Sequence, residues 1–412
     1  MARLRTPQFS VATLVLLSLA GCAPSTTETD TVRPGIEILL ADSSHLVAAR
    51  RVGLITNHTG IARDRTHSID LLRGHGVELV ALFGPEHGIR GDVDEGERVE
   101  SSVDERTGLP VYSLYGDTLK PTAGMLAGID VLLFDIQDIG ARYYTYVSTM
   151  AKAMQAAAEE DIPFVVLDRP NPIGGEQVQG NVLEPEHSSF VGLYAVPTRH
   201  GMTVGELARL FNDHFGIGAE LHVVPVAGWK RGQWFDDTGL PWVPTSPNMP
   251  SLESATHYPG TCLFEGTNLS VGRGTEIAFQ IIGAPWLDGT ALAERLNAYG
   301  LPGVRFEPAT FTPQGSGDRK YDGVEVRGVR FIVTDRRAYD PTVAGVAALI
   351  EARRLAGPQW RWYPRHFDRL AGSSRLREGI EAGADLEELV SSWEGELAGF
   401  LPLRARYLLY DQ

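Results

Sequence analysis

The sequence has almost no cysteine, only Cys22 and Cys262 in 412 residues. A disulfide framework is therefore excluded, and the fold has to rest on its apolar core. Several catalytic signatures are missing too. There is no G-x-S-x-G turn, which disfavours the nucleophile elbow of α/β-hydrolases. No H-E-x-x-H or paired-His spacing occurs and the candidate histidines fall on separate loops, so no metal is expected. Gly272-Arg273-Gly274 lacks the third glycine and the helix-opening context of a dinucleotide fingerprint, so no nucleotide cofactor is expected either. Positive charge is scarce: 37 Lys and Arg stand against 52 Asp and Glu, a formal charge of −15 with no basic cluster. Such a surface repels phosphate backbones and argues against nucleic acid as a partner.

What is present is ordinary for a folded protein, with 43% hydrophobic and 22% charged residues. The length allows two domains, each with its own core. At the start, Arg3 and Arg5 precede the apolar run from Val11 to Cys22, too short to remain in a bilayer as a helix. Residues 1–21 therefore read as a secretory signal peptide. Leu19-Ala20-Gly21-Cys22 resembles a bacterial lipoprotein cleavage box, so Cys22 is the expected lipidation site and new N-terminus. Residues 22–35 read as a short polar tether, and the chain as exported and lipid-anchored to a bacterial membrane. Cleavage removes Arg3 and Arg5 and no acid, which takes the formal charge from −15 to −17. Cys262 is then the one thiol left, and is expected to be a buried packing residue.

Beyond the tether, apolar β-rich runs alternate with helical patterns. Strands are expected at 51–57, 77–83, around "LPVYSLY", at 130–136 and at 163–168, with a helix over 143–161. Continuous apolar strands separated by helices imply a parallel sheet covered on both faces, an α/β, Rossmann-like arrangement. The segment 202–216 reads as a helix, with Thr203 placed to cap it and Glu206 at the capping-box position. "ELHVVPV" reads as one more strand. From Ala227 to Arg273 the chain is rich in Trp, Pro, Gly and Asn, with little periodicity. A boundary near residue 250 divides a Rossmann-like catalytic domain, 36–250, from a smaller α/β domain, 251–412. The latter is expected to have strands near 277–282 and 324–334 and helices near 291–299 and 341–355.

Polar residues collect where strands end. The first ends in Asn57 and His58, the second in Glu86, His87 and Arg90 of "FGPEHGIRG". The next long one ends in Asp135, Asp138, Arg142 and Tyr143, and the one after in Asp168, Arg169 and Asn171. In open parallel sheets ligands bind outside the carboxyl ends of the strands, so these loops are expected to converge on one cleft. Turn chemistry accounts for Gly84, Pro85, Gly88 and Gly91, but not for Glu86, His87 and Arg90. Carboxylates beside arginines and aromatics suit a polar, partly anionic small molecule or a sugar. Tyr112, Tyr115, Tyr143, Tyr144, Tyr146, Trp229, Trp234 and Trp242 offer faces for sugar rings.

The stretches "FGPEHGIRG", "LFDIQDIGARYYTY", "LDRPNPIGG", "PTRHGMTVGELA" and "EGTNLSVGRGTE" resemble the successive motifs of the exo-β-N-acetylmuramidase family, NamZ-like glycoside hydrolases of bacterial peptidoglycan turnover. The resemblance runs from about Arg51 into the C-terminal region. It implies a Rossmann-like domain and a smaller domain with the active cleft between them. It also implies release of N-acetylmuramic acid from non-reducing ends of peptidoglycan chains or muramyl disaccharides. The glutamate of its PEHG motif is the family's catalytic residue, which here is Glu86.

Glycoside hydrolysis usually needs one carboxylic acid at the leaving oxygen and a second group on the other face of the sugar. Glu86, sheltered by Phe83 and Pro85, is expected to have a raised pKa and serve as general acid, with His87 as a hydrogen-bond partner. Asp138 and Glu265 rank above Asp135 as the second group, and the substrate's 2-acetamido oxygen is a further option. The lactyl carboxylate of a muramide calls for a fixed cation. Arg90, Arg142, Arg169, Arg199 and Arg273, all in the family motifs, are the candidates. Rival readings are a lipid-anchored muropeptide-binding protein and a hydrolase of another cell-wall bond, an amidase or esterase.

Overall fold

The computed structural model describes Met1, Ala2 and residues 31–411 apart from 92, 94 and 95. The expected signal peptide, Cys22 and most of the tether lie outside the described residues. Among the described residues, twelve strands form three sheets. In chain order they are β1 (Arg51–Thr56), β2 (Glu78–Gly84), β3 (Ser102–Val103), β4 (Pro110–Ser113), β5 (Val131–Asp135), β6 (Phe164–Leu167), β7 (Gln179–Val182), β8 (Pro197–Arg199), β9 (Leu221–Val224), β10 (Ile281–Ala284), β11 (Val304–Phe311) and β12 (Val326–Val333).

The large sheet has the order β3-β4-β2-β1-β5-β6-β9. Every pairing in it is parallel except the short β3 against β4. Without β3 the order is that of a Rossmann sheet, with its reversal between β1 and β5, as the alternating apolar runs implied. All residues of β5 and β6 are buried, which is why those runs carry almost no polar residue. The helix Val204–Asp213 has the anticipated capping box: the Thr203 side chain accepts from the Glu206 amide, and Glu206 accepts in return from the Thr203 amide. β7 and β8 form a separate antiparallel pair, and β10-β12-β11 a three-stranded antiparallel sheet.

Three features differ from the sequence expectation. β11 contains Pro308, which masks its strand character; it lies at a sheet edge, where proline is tolerated. The helix Leu252–Thr261 contains Pro259-Gly260, a pair that reads as a turn, inside the stretch expected to be irregular. The C-terminal end is a run of helices from Pro364–Ala371 to Glu394–Ala405. From Thr31 on the chain makes one compact unit. An apolar cluster extends from Ile55 and Phe134 in the large sheet to Phe331 and Phe400 of the C-terminal half, so the two halves share a core. No helix among the described residues is long and apolar enough to cross a membrane.

Two glycines set one close helix contact. Gly260, in the helix Leu252–Thr261, meets Gly345 of the helix Pro341–Ala356. A methyl on Gly345 would lie 2.7 Å from the Gly260 carbonyl oxygen, and one on Gly260 would run into the Pro341 carbonyl. Both obstacles are backbone, so neither can rotate away. Gly260→Ala is expected to cost about 1–3 kcal/mol through overpacking. Urea unfolding monitored by circular dichroism checks this, and an unchanged midpoint would contradict the close crossing.

Candidate active site

β2 delivers its loop through Gly84 and Pro85 into a tight turn in which His87 sits at φ 68° and Gly88 at φ 73°. A left-handed histidine is strained and needs to be held. Its Nδ1 donates to the Val93 carbonyl at 2.6 Å. Because a carbonyl only accepts, Nδ1 carries a proton. The turn presents Glu86, buried to 8% exposure, to a cavity of about 260 Å³. Oε1 of Glu86 accepts from the Gly96 amide at 3.1 Å, and Oε2 faces the Thr145 hydroxyl at 2.5 Å. Thr145 is the N-cap residue of the helix Tyr146–Glu159, yet its side chain makes no capping bond; its hydroxyl goes to Glu86 instead. The carboxyl group thus stands at the positive end of a four-turn helix. Tyr115, just beyond β4, adds its phenol. Burial, then the charge of Glu86 and a hydrogen bond to it, push that phenol's pKa up.

One wall of the cavity is aromatic. Tyr143, Tyr144, Tyr146, Tyr258 and Phe279 form a chain of edge-to-face contacts with centroids 4.6 to 5.8 Å apart. The Tyr143 hydroxyl donates to the Pro259 carbonyl, and those of Tyr144 and Tyr146 bond Thr245. These rings are buried and fixed, so they shape a wall and do not offer free stacking faces.

The facing wall comes from the C-terminal half and carries charge: Glu265, Arg273, Asp318, Lys320, His366 and Arg369. Arg273 Nε donates to Glu265 Oε1 at 2.6 Å, and its guanidinium lies 5.0 Å from the Phe279 ring centre. Burial alone would raise the Glu265 pKa, but Arg273 and Lys320 hold it below its ordinary value. The Lys320 ammonium donates to the carbonyls of Phe264, Glu265 and Leu269. Its pKa is lowered by burial, against the pull of Glu265 and Asp318. Arg319 and Tyr321 on either side of it have φ 52° and 58°, a strained loop that aims Lys320 inward. The His366 pKa is lowered by burial, with Glu265 opposing. No cluster of three or more metal-ligating side chains occurs among the described residues.

Of the residues singled out in the sequence, the cavity is lined by Glu86, His87, Glu265 and Arg273 and by Tyr115, Tyr143, Tyr144 and Tyr146, while Tyr112, Trp229, Trp234 and Trp242 lie outside it. The expectation that four strand-end loops share one cleft is corrected. At the sheet's reversal point Arg169 pairs with Asp135 at 2.7 Å and donates to the Ile61 carbonyl. Asn57 accepts from Thr59, which in turn accepts from the Gln137 amide. The crevice above is plugged by Phe235, Leu240, Pro241 and Val243, leaving about 20 Å³, room for a single water. His58 meets the Pro244 carbonyl at 2.6 Å, and Asn171 bonds the Met202 carbonyl and the Ile173 amide. Arg90 pairs with Asp104. Arg199 bonds Gln179 and the Ile173 carbonyl. Arg142 is buried and donates to the carbonyls of Asn181, Val196, Leu370 and Ala371. Asp138 accepts from the Gly140 amide at 2.8 Å outside the cavity. These side chains build loops.

Sequence reasoning missed Thr145, Asp318, Lys320, His366 and Arg369. A signal existed for the last two: "PRHFDRL" places His366 and Arg369 at i,i+3, on one face of a helix.

Two family models divide almost the whole chain between them. The N-terminal model of the exo-β-N-acetylmuramidase NamZ matches residues 52–253, and the C-terminal model residues 256–410. The chain belongs to the NamZ family. It is 49% identical over 381 residues to the peptidoglycan β-N-acetylmuramidase NamZ of Bacillus subtilis (strain 168), covering 92% of this chain and 91% of that protein. Two crystal structures of DUF1343 family proteins from Bacteroides fragilis NCTC 9343 share the fold. One has a TM-score of 0.86 at 39% identity, over 93% of this chain and 100% of that one. The other has a TM-score of 0.76 at 31% identity, over 92% and 99%. Among the described residues Glu86 is the one strand-end carboxylate of the large sheet that lines the cavity.

Burial lifts the pKa of Asp138 to about 7, against the pull of the Gly140 and Ile139 amides. An acid whose folded pKa is raised makes the folded state bind more protons, so stability falls as pH climbs from about 4 towards 7. Asp138→Asn keeps the acceptor for Gly140 and removes that ionisation. The variant is expected to gain on the wild type by roughly 1.4 kcal/mol per pH unit over this window and then level off. Thermal melts from pH 4 to 8 check it; a pH-independent difference would refute it.

Proposed function

We propose that this NamZ-family protein is an exo-acting β-N-acetylmuramidase that removes N-acetylmuramic acid from non-reducing ends of peptidoglycan fragments, with Glu86 as its catalytic carboxyl group. The observation that carries this reading is the place of Glu86: it borders a cavity of about 260 Å³ at the N-terminus of the helix Tyr146–Glu159. That volume lies just under the roughly 300 Å³ at which drug-sized pockets begin, space suited to one sugar residue and not to a chain. An enzyme that trims one terminal sugar needs such a pocket.

The hydrogen bonds of Glu86 support a division of labour between its two oxygens. Oε1 faces an amide, which can only donate, so it is engaged as an acceptor. Oε2 faces a hydroxyl, which can donate or accept. Proton transfer to the glycosidic oxygen therefore runs through Oε2. Cleavage also requires a second group, on the far side of the ring. Glu265 and Asp318 stand in the opposite wall, and the substrate's acetamido oxygen is the third option.

Glu86→Gln is expected to lower kcat on a chromogenic N-acetylmuramide by at least about 10³-fold with an unchanged melting temperature. Retained activity would remove Glu86 from the chemistry. Glu265→Gln and Asp318→Asn separate the second group: the one that supplies it loses roughly 10²-fold or more in kcat, and loss in neither leaves the acetamido oxygen.

We also propose attachment to the membrane through a lipid on Cys22, supported by Leu19-Ala20-Gly21-Cys22 behind a signal-peptide-like run. Expressed in a bacterial host, the wild type is expected to incorporate an alkyne fatty acid and sediment with membranes, and Cys22→Ser to do neither. An unlabelled wild type would overturn the anchor.

A further inference from the structure

N-acetylmuramic acid differs from N-acetylglucosamine by a lactyl ether on O3 that ends in a carboxylate. If the muramidase reading holds, a chain with a formal charge of −15 must draw an anionic sugar into its cleft. It therefore needs a cation that is not already neutralised.

The arginines of the family motifs do not fill that need. Arg142 and Arg199 are buried and donate to the protein's own carbonyl and amide groups. Arg169 is paired with Asp135, and Arg90 with Asp104. In the cavity wall Arg273 is paired with Glu265, and the Lys320 ammonium donates to three carbonyls, as many as it has protons. Arg369 differs. It lines the cavity and is exposed, and no carboxylate among the described residues lies within ion-pair distance of it. Its hydrogen bond runs from Nη2 to Nδ1 of His366, 2.8 Å away and one turn earlier on the same helix.

That bond fixes more than a distance. Guanidinium only donates, so His366 Nδ1 accepts, and the neutral ring carries its proton on Nε2. The lowered pKa of His366 keeps it in this neutral, accepting form. With Nη2 steered by the histidine, the rest of the planar fork remains for a ligand, the geometry that suits a carboxylate. Arg369 is also near enough to the catalytic side. Its charge acts both on Tyr115, which is hydrogen-bonded to Glu86, and on His366, which senses Glu265. O3 is two carbons from the anomeric centre, so a lactyl seat must lie within one sugar's width of the catalytic carboxyl group. Glu86 and Arg369 border the same single-sugar cavity.

We propose that Arg369, oriented by His366, is the seat of the lactyl carboxylate and the residue by which the cleft distinguishes muramides from glucosaminides.

The test compares wild type, Arg369→Ala and Arg369→Lys on chromogenic N-acetylmuramide, its lactyl methyl ester and N-acetylglucosaminide, with melting temperature as the folding control. In Arg369→Ala the muramide-to-glucosaminide ratio of kcat/KM is expected to fall roughly 10- to 100-fold, the range of a lost charge-assisted hydrogen bond. The lysine variant should recover part of it. Esterification, which removes the anion, should cost the wild type far more than the alanine variant. An unchanged ratio in Arg369→Ala overturns the seat while leaving the muramidase reading intact. Should the wild type cut neither glycoside, that reading fails. The seat is then decided by equilibrium binding of free N-acetylmuramic acid: binding lost in Arg369→Ala supports it, and equal binding refutes it.

Discussion

The buried guanidinium of Arg142 ties the two walls of the cleft together. It sits just beyond β5, three residues before Thr145, and donates to the carbonyls of Asn181 and Val196 on one side and of Leu370 and Ala371 on the other. The last two are the C-terminal carbonyls of the helix that carries His366 and Arg369. A single side chain therefore caps one active-site helix and anchors it to the segment leading into the other. Burial lowers its pKa only to about 10, so it stays charged. Gly372 completes the junction. It has φ 70°, and a methyl there would lie 2.9 Å from Arg142 Nη2, so both its conformation and the guanidinium's fit require glycine.

The position of the cavity follows from how the Rossmann sheet is finished. Its reversal between β1 and β5 is where such sheets usually bind ligands. Here the residues at that point satisfy one another, through Arg169 with Asp135 and Asn57 with Thr59, and the segment 235–243 closes the remaining space. The cleft is displaced towards the β2–β4 side, where the C-terminal half supplies a second wall. Its aromatic face stays in place because the tyrosine hydroxyls hold backbone of neighbouring segments, Pro259 and Thr245.

Charge is divided between the walls. The N-terminal half brings Glu86 on a strained turn, with the amide of Gly96 and the N-terminus of the helix Tyr146–Glu159 beside its carboxyl group. The C-terminal half brings Arg273, Lys320 and Arg369 against Glu265 and Asp318, a surplus of positive charge in a strongly acidic chain. The cavity therefore has a carboxyl group on one wall and a positive surplus on the other.

Much of the framework could be read in the residues. The parallel sheet was legible because strands buried on both faces, such as β5 and β6, need continuous apolar runs. The Thr203–Glu206 capping box was legible because it is a local bond at fixed spacing. β11 and the helix Leu252–Thr261 were not, since Pro308 and Pro259-Gly260 resemble breaks until a sheet edge and a glycine crossing accommodate them. Glu86 stood out because no turn requires a carboxylate between Pro85 and His87. The arginines of the motifs stood out equally, and composition offers no way to tell a guanidinium that holds carbonyls from one that waits for a ligand. That distinction depends on which partners lie within about 3 Å, often from segments 200 residues away, as for Arg142 and Ala371. The sequence by itself therefore determined the sheet, the caps and the acidic loop, all set by periodicity and neighbouring residues. Only the tertiary structure decided which charges face the cavity, because pairing is settled by three-dimensional proximity and not by order along the chain.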